Sequence, residues 1–448
     1  MKNNINKTVL QTLFYSLVIS FFIGAGDLFA QDNNDFQWIW AKSGGSGGRI
    51  HNEASYYLDK NYGEMIFDIA TDNDNNYYFL ANIATYLANI DGMPIYSPGK
   101  TSANSYHAPN RNFLIMSFTC DGQYRWHKII GTGAAQYIDA LALDNQGGLY
   151  VSAKLTNYAD EDQINHGVPN LCFSEDNCLA HYSMSMHNGV WSQDPYVPHE
   201  GWKEGFLLKY NTDNGDFVWR RDFQGLVTIR TGSMHICGGG VQIDSNNILH
   251  NIVGLRKGVH LDGAIVIDDE DEFKYHYYLI KYDTDGNLVA PPLLLPMSGN
   301  INSTGAGANL KMKYNETLNR YYIAGYYATM GNFVPLSFNG YNFWQSPPDP
   351  YSAYGVIFSF TPDDLDDWWH KELFKDESSP YSNKNRIYDI VLDDNGDIYI
   401  LGTVDTLNGV NKLFWGFCNY SSYRKIINKY DFCYENKCFR RCTMGQCS

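Results

Sequence analysis

Three observations predict an all-β chain folded as a β-propeller of four-stranded antiparallel blades. Aromatic residues make up 15% of the sequence and sit with β-branched residues in segments of strand length. Asp, Asn and Gly punctuate those segments at tight-turn spacing. A four-segment pattern then recurs along the chain, as a unit repeated around a ring requires.

The pattern opens with an apolar strand: FLIMSFT (113–119), FLLKYN (206–211), YLIKYD (278–283) and VIFSFT (356–361). A turn leads to a strand carrying Trp and a basic residue, as at Trp126, Trp219 and Trp369. The first unit enters here, at Trp40-Ala41-Lys42. A third strand ends in Asp72, Asp144, Asp244 or Asp393, and an Asn/Gly turn opens the fourth strand. The fourth unit is the most worn, with Tyr314 in place of that Asp. Sandwiches do not repeat one four-strand order in this way.

Five units predict five blades, at about residues 113–155, 206–254, 277–327 and 355–404, with the first at 36–83. The first unit lacks its opening strand, and an open ring leaves unpaired edges. Ile426–Asp431 (IINKYD) matches YLIKYD and is expected to complete the first blade. The rival reading makes residues 418–448 foreign to the fold.

Both ends have their own character. Lys2 and Lys7 precede an apolar run, Leu13 to Ile23, and Ala30 precedes Gln31. This reads as a secretory signal peptide over 1–30, cleaved near Ala30, with an apolar run too short to span a bilayer. The propeller then occupies 31–431, and a Cys-rich tail follows at 432–448. In an oxidising compartment Cys172 and Cys178 are expected to form a local disulfide. Nine cysteines leave at least one thiol free or paired with another chain. The net charge of −16 argues against a nucleic-acid partner, which needs a basic face.

The strings WAKSGGSGG, LLKYN, LIKYD and DIVLDDNGDIYILGT resemble the repeats of the bacterial secreted β-propeller repeat proteins, over about residues 36–431. The resemblance implies the propeller fold. It implies little about activity, because fold and function separate.

Loop lengths locate the expected site. The turns between first and second strands, and between third and fourth, are tight; the other connections are long. In an up-down blade all the long ones fall on one face, and long loops on a rigid scaffold carry function. Two of them are rich in aromatics: Tyr341, Phe343, Trp344 and Tyr351 in one, Trp191 and Trp202 in the other. Exposed rings beside Asn and Asp suit a sugar face or a peptide. The bland alternative is that they pin long loops to the ring.

Other motifs carry less. Gly44-Gly45-Ser46-Gly47-Gly48 matches a nucleophile-elbow string but lies in a glycine turn. Asp72, Asp74 and Asn76, like Asp283, Asp285 and Asn287, resemble the start of a calcium loop without its glutamate. His181, Met184, Met186 and His187 lack a further identifiable ligand. No catalytic residue, metal or cofactor is assigned. The expectation is a secreted binding or adhesion module for a glycan or protein ligand on the long-loop face. The alternative is an extracellular carbohydrate hydrolase or lyase with carboxylates at the channel mouth.

Overall fold

The computed structural model of the chain divides into two compact units, Met1–Ser43 and Gly44–Ser448. It describes residues 41–45, 66–83, 87–96, 112–130, 137–155, 157–160, 170–180, 182–184, 186–187, 190–191, 203–227, 236–237, 239–271, 274–301, 310–328, 334–343, 353–373, 385–393, 396–405 and 411–418. Among these the only helix is one 3-10 turn, Leu261–Gly263.

Three antiparallel sheets of four strands, and a larger one of seven whose central four strands match them, form the blades of a propeller-like ring in the second unit. The first blade comprises β1 (Ile66–Thr71), β2 (Tyr77–Ile83), β3 (Asn112–Phe118) and β4 (Tyr124–Ile130). The second comprises β5 (Tyr137–Leu143), β6 (Gly148–Lys154), β7 (Gly205–Asn211) and β8 (Phe217–Asp222). The third has β9 (Val241–Ile243), β10 (Leu249–Leu255), β11 (His276–Tyr282) and β12 (Leu293–Ser298). The fourth has β13 (Lys311–Asn315), β14 (Arg320–Ala328), β15 (Ala353–Phe360) and β16 (Trp368–Leu373). A further sheet has three strands among the described residues: β17 (Arg386–Leu392), β18 (Ile398–Asp405) and β19 (Asn411–Cys418).

The blade boundaries differ from those expected. Each sheet joins the third and fourth strands of one repeat to the first and second of the next, so the blades span 66–130, 137–222, 241–298 and 311–373. The short gap 131–136 is therefore a crossover between sheets, and the long segment 84–111 connects two neighbours within one sheet. The apolar strand expected at Ile426–Asp431, which lies outside the described residues, has a counterpart in β19. That strand pairs with β18 from Ile398↔Cys418 to Asp405↔Asn411, much as β7 pairs with β6.

The innermost strands stand side by side, β5 between β1 and β9, and β13 between β9 and β17. Asp68 of β1 accepts the Leu141 amide of β5 at 2.9 Å, and the Lys311 ammonium of β13 donates to the Phe67 carbonyl at 2.9 Å. Apolar faces of successive sheets bury one another. Tyr78, Ile115 and Trp126 of the first blade pack with Leu149, Val151 and Leu208 of the second. Phe338, Phe358 and Tyr321 belong to the cluster between the third and fourth.

One turn device recurs on a single face. Asp144 accepts the Gln146 and Gly148 amides and the Tyr150 hydroxyl, each at 2.7 Å. Asp72 does the same for Asp74, Asn76 and Tyr78. Burial pushes the Asp72 carboxyl up, but the bonds from Asn76, Tyr78 and Asp74 hold it below the usual range. That is a structural turn, with the carboxylate's acceptor sites taken by the chain itself. The indoles of the outermost strands reach the next blade: Trp126 Nε1 donates to the Thr212 carbonyl at 2.9 Å and Trp219 Nε1 to that of Thr284 at 3.1 Å.

Candidate functional site

Because strands alternate in direction, these tight turns share one face and the long connections share the other. The most developed cluster of polar and aromatic side chains with perturbed ionisation runs along the outermost strand of the fourth blade. It starts from the sequence WWHKEL of β16. Side chains along a strand alternate between faces, so Trp368, His370 and Glu372 share one face and Trp369 turns to the other. Trp369 meets Tyr322 edge-on in the cluster next to the fifth sheet. The Trp368 face meets a hairpin, Ser337–Phe338 with Tyr341–Asn342, which inserts between β14 and β15.

That hairpin is held firmly. Its first strand extends the third blade, pairing Met297↔Phe338 and Ser298↔Ser337. Asn339 and Gly340 have φ of 45° and 76°, the left-handed pair that a two-residue hairpin turn demands. Phe338 and Phe343 are fully buried, and both pack on Phe358. Tyr341 stays 40% exposed.

The Tyr341 ring lies over His370 with centroids 4.3 Å apart, and His370 stacks on Trp368 at 5.2 Å and 20°. Beneath this pile the Glu372 side chain is only 2% exposed. It accepts the Tyr327 hydroxyl at 2.8 Å and the Tyr341 hydroxyl at 3.0 Å, and His370 Nε2 stands 3.8 Å from its Oε1. Burial pushes the Glu372 carboxyl up, against the pull of the two tyrosine bonds. Burial, then the Lys371 charge, pushes the His370 imidazole down. Burial and the Glu372 carboxylate push both tyrosine hydroxyls up, so they remain donors. The result is a rigid aromatic face whose polar end is a desolvated carboxyl. Such a group is held ready for a hydrogen bond or a proton.

Of the residues expected to bind ligand, Tyr341 stands in this site. Phe343 does not: it is a packing anchor between the third and fourth blades, because the hairpin turns its ring inward. Trp344, Tyr351 and Trp202 lie outside the described residues, as does the side chain of Trp191, whose backbone pairs Met186↔Trp191. Trp368, His370, Glu372 and Tyr327 were not anticipated. The two-residue spacing of Trp368, His370 and Glu372 is the signal that could have found them.

Other expectations can be placed. Cys172 and Cys178 are disulfide-bonded across the hairpin Leu171–Ser174 and Asn177–Leu179. Gly44 and Gly45 pair as a strand with Ile90 and Asn89, and the rest of the elbow string, Ser46 to Gly48, lies outside the described residues. Among the described residues no group of three or more His, Cys, Asp or Glu could hold a metal ion. His181 lies outside them, as do the side chains of Met184, Met186 and His187. No described helix is long and apolar enough to cross a membrane.

No family model and no curated protein matches the chain. Among solved structures, a Synechocystis apocarotenoid oxygenase mutant aligns at 9% identity and TM-score 0.33 over 79% of this chain. The α-L-arabinofuranosidase of Lactobacillus brevis aligns at 10% and 0.31, covering 75% of this chain and 82% of that one. A thermostable family-43 glycoside hydrolase aligns at 10% and 0.31, covering 79% and 89%. The chain spans 59% of the oxygenase's length.

Proposed function

We propose that this protein is a secreted five-bladed propeller that binds a glycan on its long-connection side. The exposed Tyr341 ring, laid on His370 with its hydroxyl tied to buried Glu372, carries this reading. Aromatic faces stack on the apolar faces of sugar rings, and a fixed ring loses little entropy on binding. His370, 26% exposed at its side chain, supplies a hydrogen-bonding group for a sugar hydroxyl beside that ring, and buried Glu372 fixes the Tyr341 hydroxyl in place. The position of β17 against β13 and β14 supports counting the three-stranded sheet as the fifth blade. The signal-like 1–30 segment and the resemblance to secreted propeller repeat proteins support export.

The second reading, a carbohydrate-active enzyme, draws on the raised Glu372 carboxyl, since a general acid must hold its proton near working pH. A glycan array probed with the full mature chain and with Tyr341→Ala tests the first reading. Reproducible signals that Tyr341→Ala abolishes support it; identical arrays reject it. Release of reducing sugar that Glu372→Gln removes, with binding intact, favours the enzyme.

A further inference from the structure

The outermost strand of the second blade, β8, ends its sheet, with no strand paired on its outer side among the described residues. The Phe223 amide donates to the Gly205 carbonyl at 3.0 Å, and Arg221 is the partner of Leu207 in the ladder. In an antiparallel pair alternate residues turn their backbone groups toward the partner strand. Phe223 and Arg221 therefore face β7, while Asp222 and Arg220 point their amides outward. The Arg220 carbonyl takes one contact, from the Arg221 guanidinium at 3.0 Å.

This edge forms the floor of a groove of about 650 Å³. One wall holds Asn177, which accepts from Arg220 at 2.6 Å, and Lys203, whose ammonium is 4.0 Å from Asp222. The other holds Leu261, Asp262, Gly286 and Leu288, and Arg221 is clamped there by the Gly286 and Asp285 carbonyls at 2.6 and 2.8 Å. A strand edge between two walls admits one extended chain and little else. The groove is lined by three cations, Lys203, Arg220 and Arg221, against two carboxylates, Asp222 and Asp262, on a chain of net charge −16. Val218 and Leu288, 52% and 41% exposed, add apolar surface at its margin.

We propose that this groove is a docking site for an extended peptide of a partner protein, which adds a strand to the edge of β8. Its sequence alternates acidic and apolar side chains. The backbone pairs with the outward groups of Arg220 and Asp222. The acidic side chains meet Lys203 and Arg220, and the apolar ones rest on Val218 and Leu288. Carboxylates in such a setting form charge-assisted bonds with guanidinium. This site is separate from the Tyr341 cluster and stands whatever that cluster binds.

The test pans a phage-displayed library of random linear peptides on the full mature chain. Enrichment of alternating acidic and apolar sequences is expected. A selected peptide protects the Arg220 and Asp222 amides from hydrogen exchange. Methylating its alternate backbone nitrogens, which removes strand pairing without touching the protein, weakens it about tenfold or more. Leu288→Glu, an exposed change, weakens it to a similar degree and leaves the melting temperature in place. Failure to enrich such peptides overturns the proposal. So does a selected peptide that tolerates methylation or leaves both amides unprotected. Amides already protected in the free protein show that the chain's own segment fills the slot, and the proposal falls.

Discussion

His250 Nε2 bonds the Asp244 carboxylate at 3.2 Å, in the place where the Tyr78 and Tyr150 hydroxyls bond Asp72 and Asp144. Its Nδ1 meets the Tyr321 hydroxyl at 2.5 Å, and Tyr314 stacks on the ring at 4.5 Å. One repeat has thus exchanged a tyrosine for a titratable group at the boundary between the third and fourth blades.

That exchange gives the ring an acid-sensitive joint. Burial pushes the His250 imidazole below its ordinary 6.5, despite Asp244 and Glu316, with Lys281 adding to the downward push. The unfolded chain therefore takes up the proton first. The contribution is fully present above about 6.5 and is lost as pH falls through the lower folded value. Melting curves from pH 7.5 to 5 should show a decline that His250→Tyr, which restores the repeat's own residue, flattens. An unchanged slope in the variant removes His250 from the account.

Trp126→Phe should destabilise by about 0.5–1.5 kcal/mol for the lost indole bond, the Thr212 carbonyl keeping the Tyr78 hydroxyl as its second donor at 3.3 Å. The fit is close: a Cβ on Gly215, which has φ of 71°, would meet the Trp126 ring at 2.6 Å. Denaturant unfolding of the variant reads the cost directly. A loss within error of zero would make the indole bond incidental.

A chain ending at Asp405 loses β19 and exposes the edge of β18, so it should aggregate or melt far below the full chain. A chain ending at Cys418 keeps that ladder and should melt close to the full chain. Equal damage in both truncations would return the closing role to Ile426–Asp431.

Glu372→Gln tests the buried carboxyl. A glutamate whose folded value is raised keeps its proton longer than the unfolded chain does. Its contribution is present below the ordinary 4.5 and is lost as pH rises through the folded value. The glutamine accepts one of the two tyrosine hydroxyls at its carbonyl oxygen, and its NH2 donates to the other hydroxyl's oxygen, so the variant should match or exceed the native stability at pH 7. A large loss at pH 7 would show that the ionised carboxylate is itself required.

The repeat made the strands, the turns and the separation of short from long connections legible in the sequence. Asp72, Asp144 and Asp393 are turn residues for the local reasons the sequence suggested. The sheet boundaries were not legible. The six residues between Ile130 and Tyr137 look like a hairpin loop, and sequence-adjacent strands usually pair. Here the true neighbour of Tyr77–Ile83 lies beyond a long insertion, at Asn112–Phe118. A cyclic repeat reads the same from either starting strand, so its phase is decided by packing across the ring. For the site, Tyr341 and Phe343 are equivalent as aromatics in a polar loop. Only the hairpin's seat on the third blade decides that one is exposed and the other buried. His370 was visible, but only as the basic residue of the Trp strand.

The most direct test measures the affinity of one array-identified glycan by titration calorimetry for the native chain, Tyr341→Ala and Asp144→Ala. Truncating a central aromatic contact typically costs about 2 kcal/mol or more, roughly thirtyfold in affinity. Tyr341→Ala should lose at least that much while still unfolding as one cooperative unit, with its melting temperature lowered only by the lost bond to Glu372. Asp144→Ala, on the opposite face, should lower the melting temperature and leave affinity alone. Native affinity in Tyr341→Ala, or loss of binding in a folded Asp144→Ala, would contradict the assignment of the site.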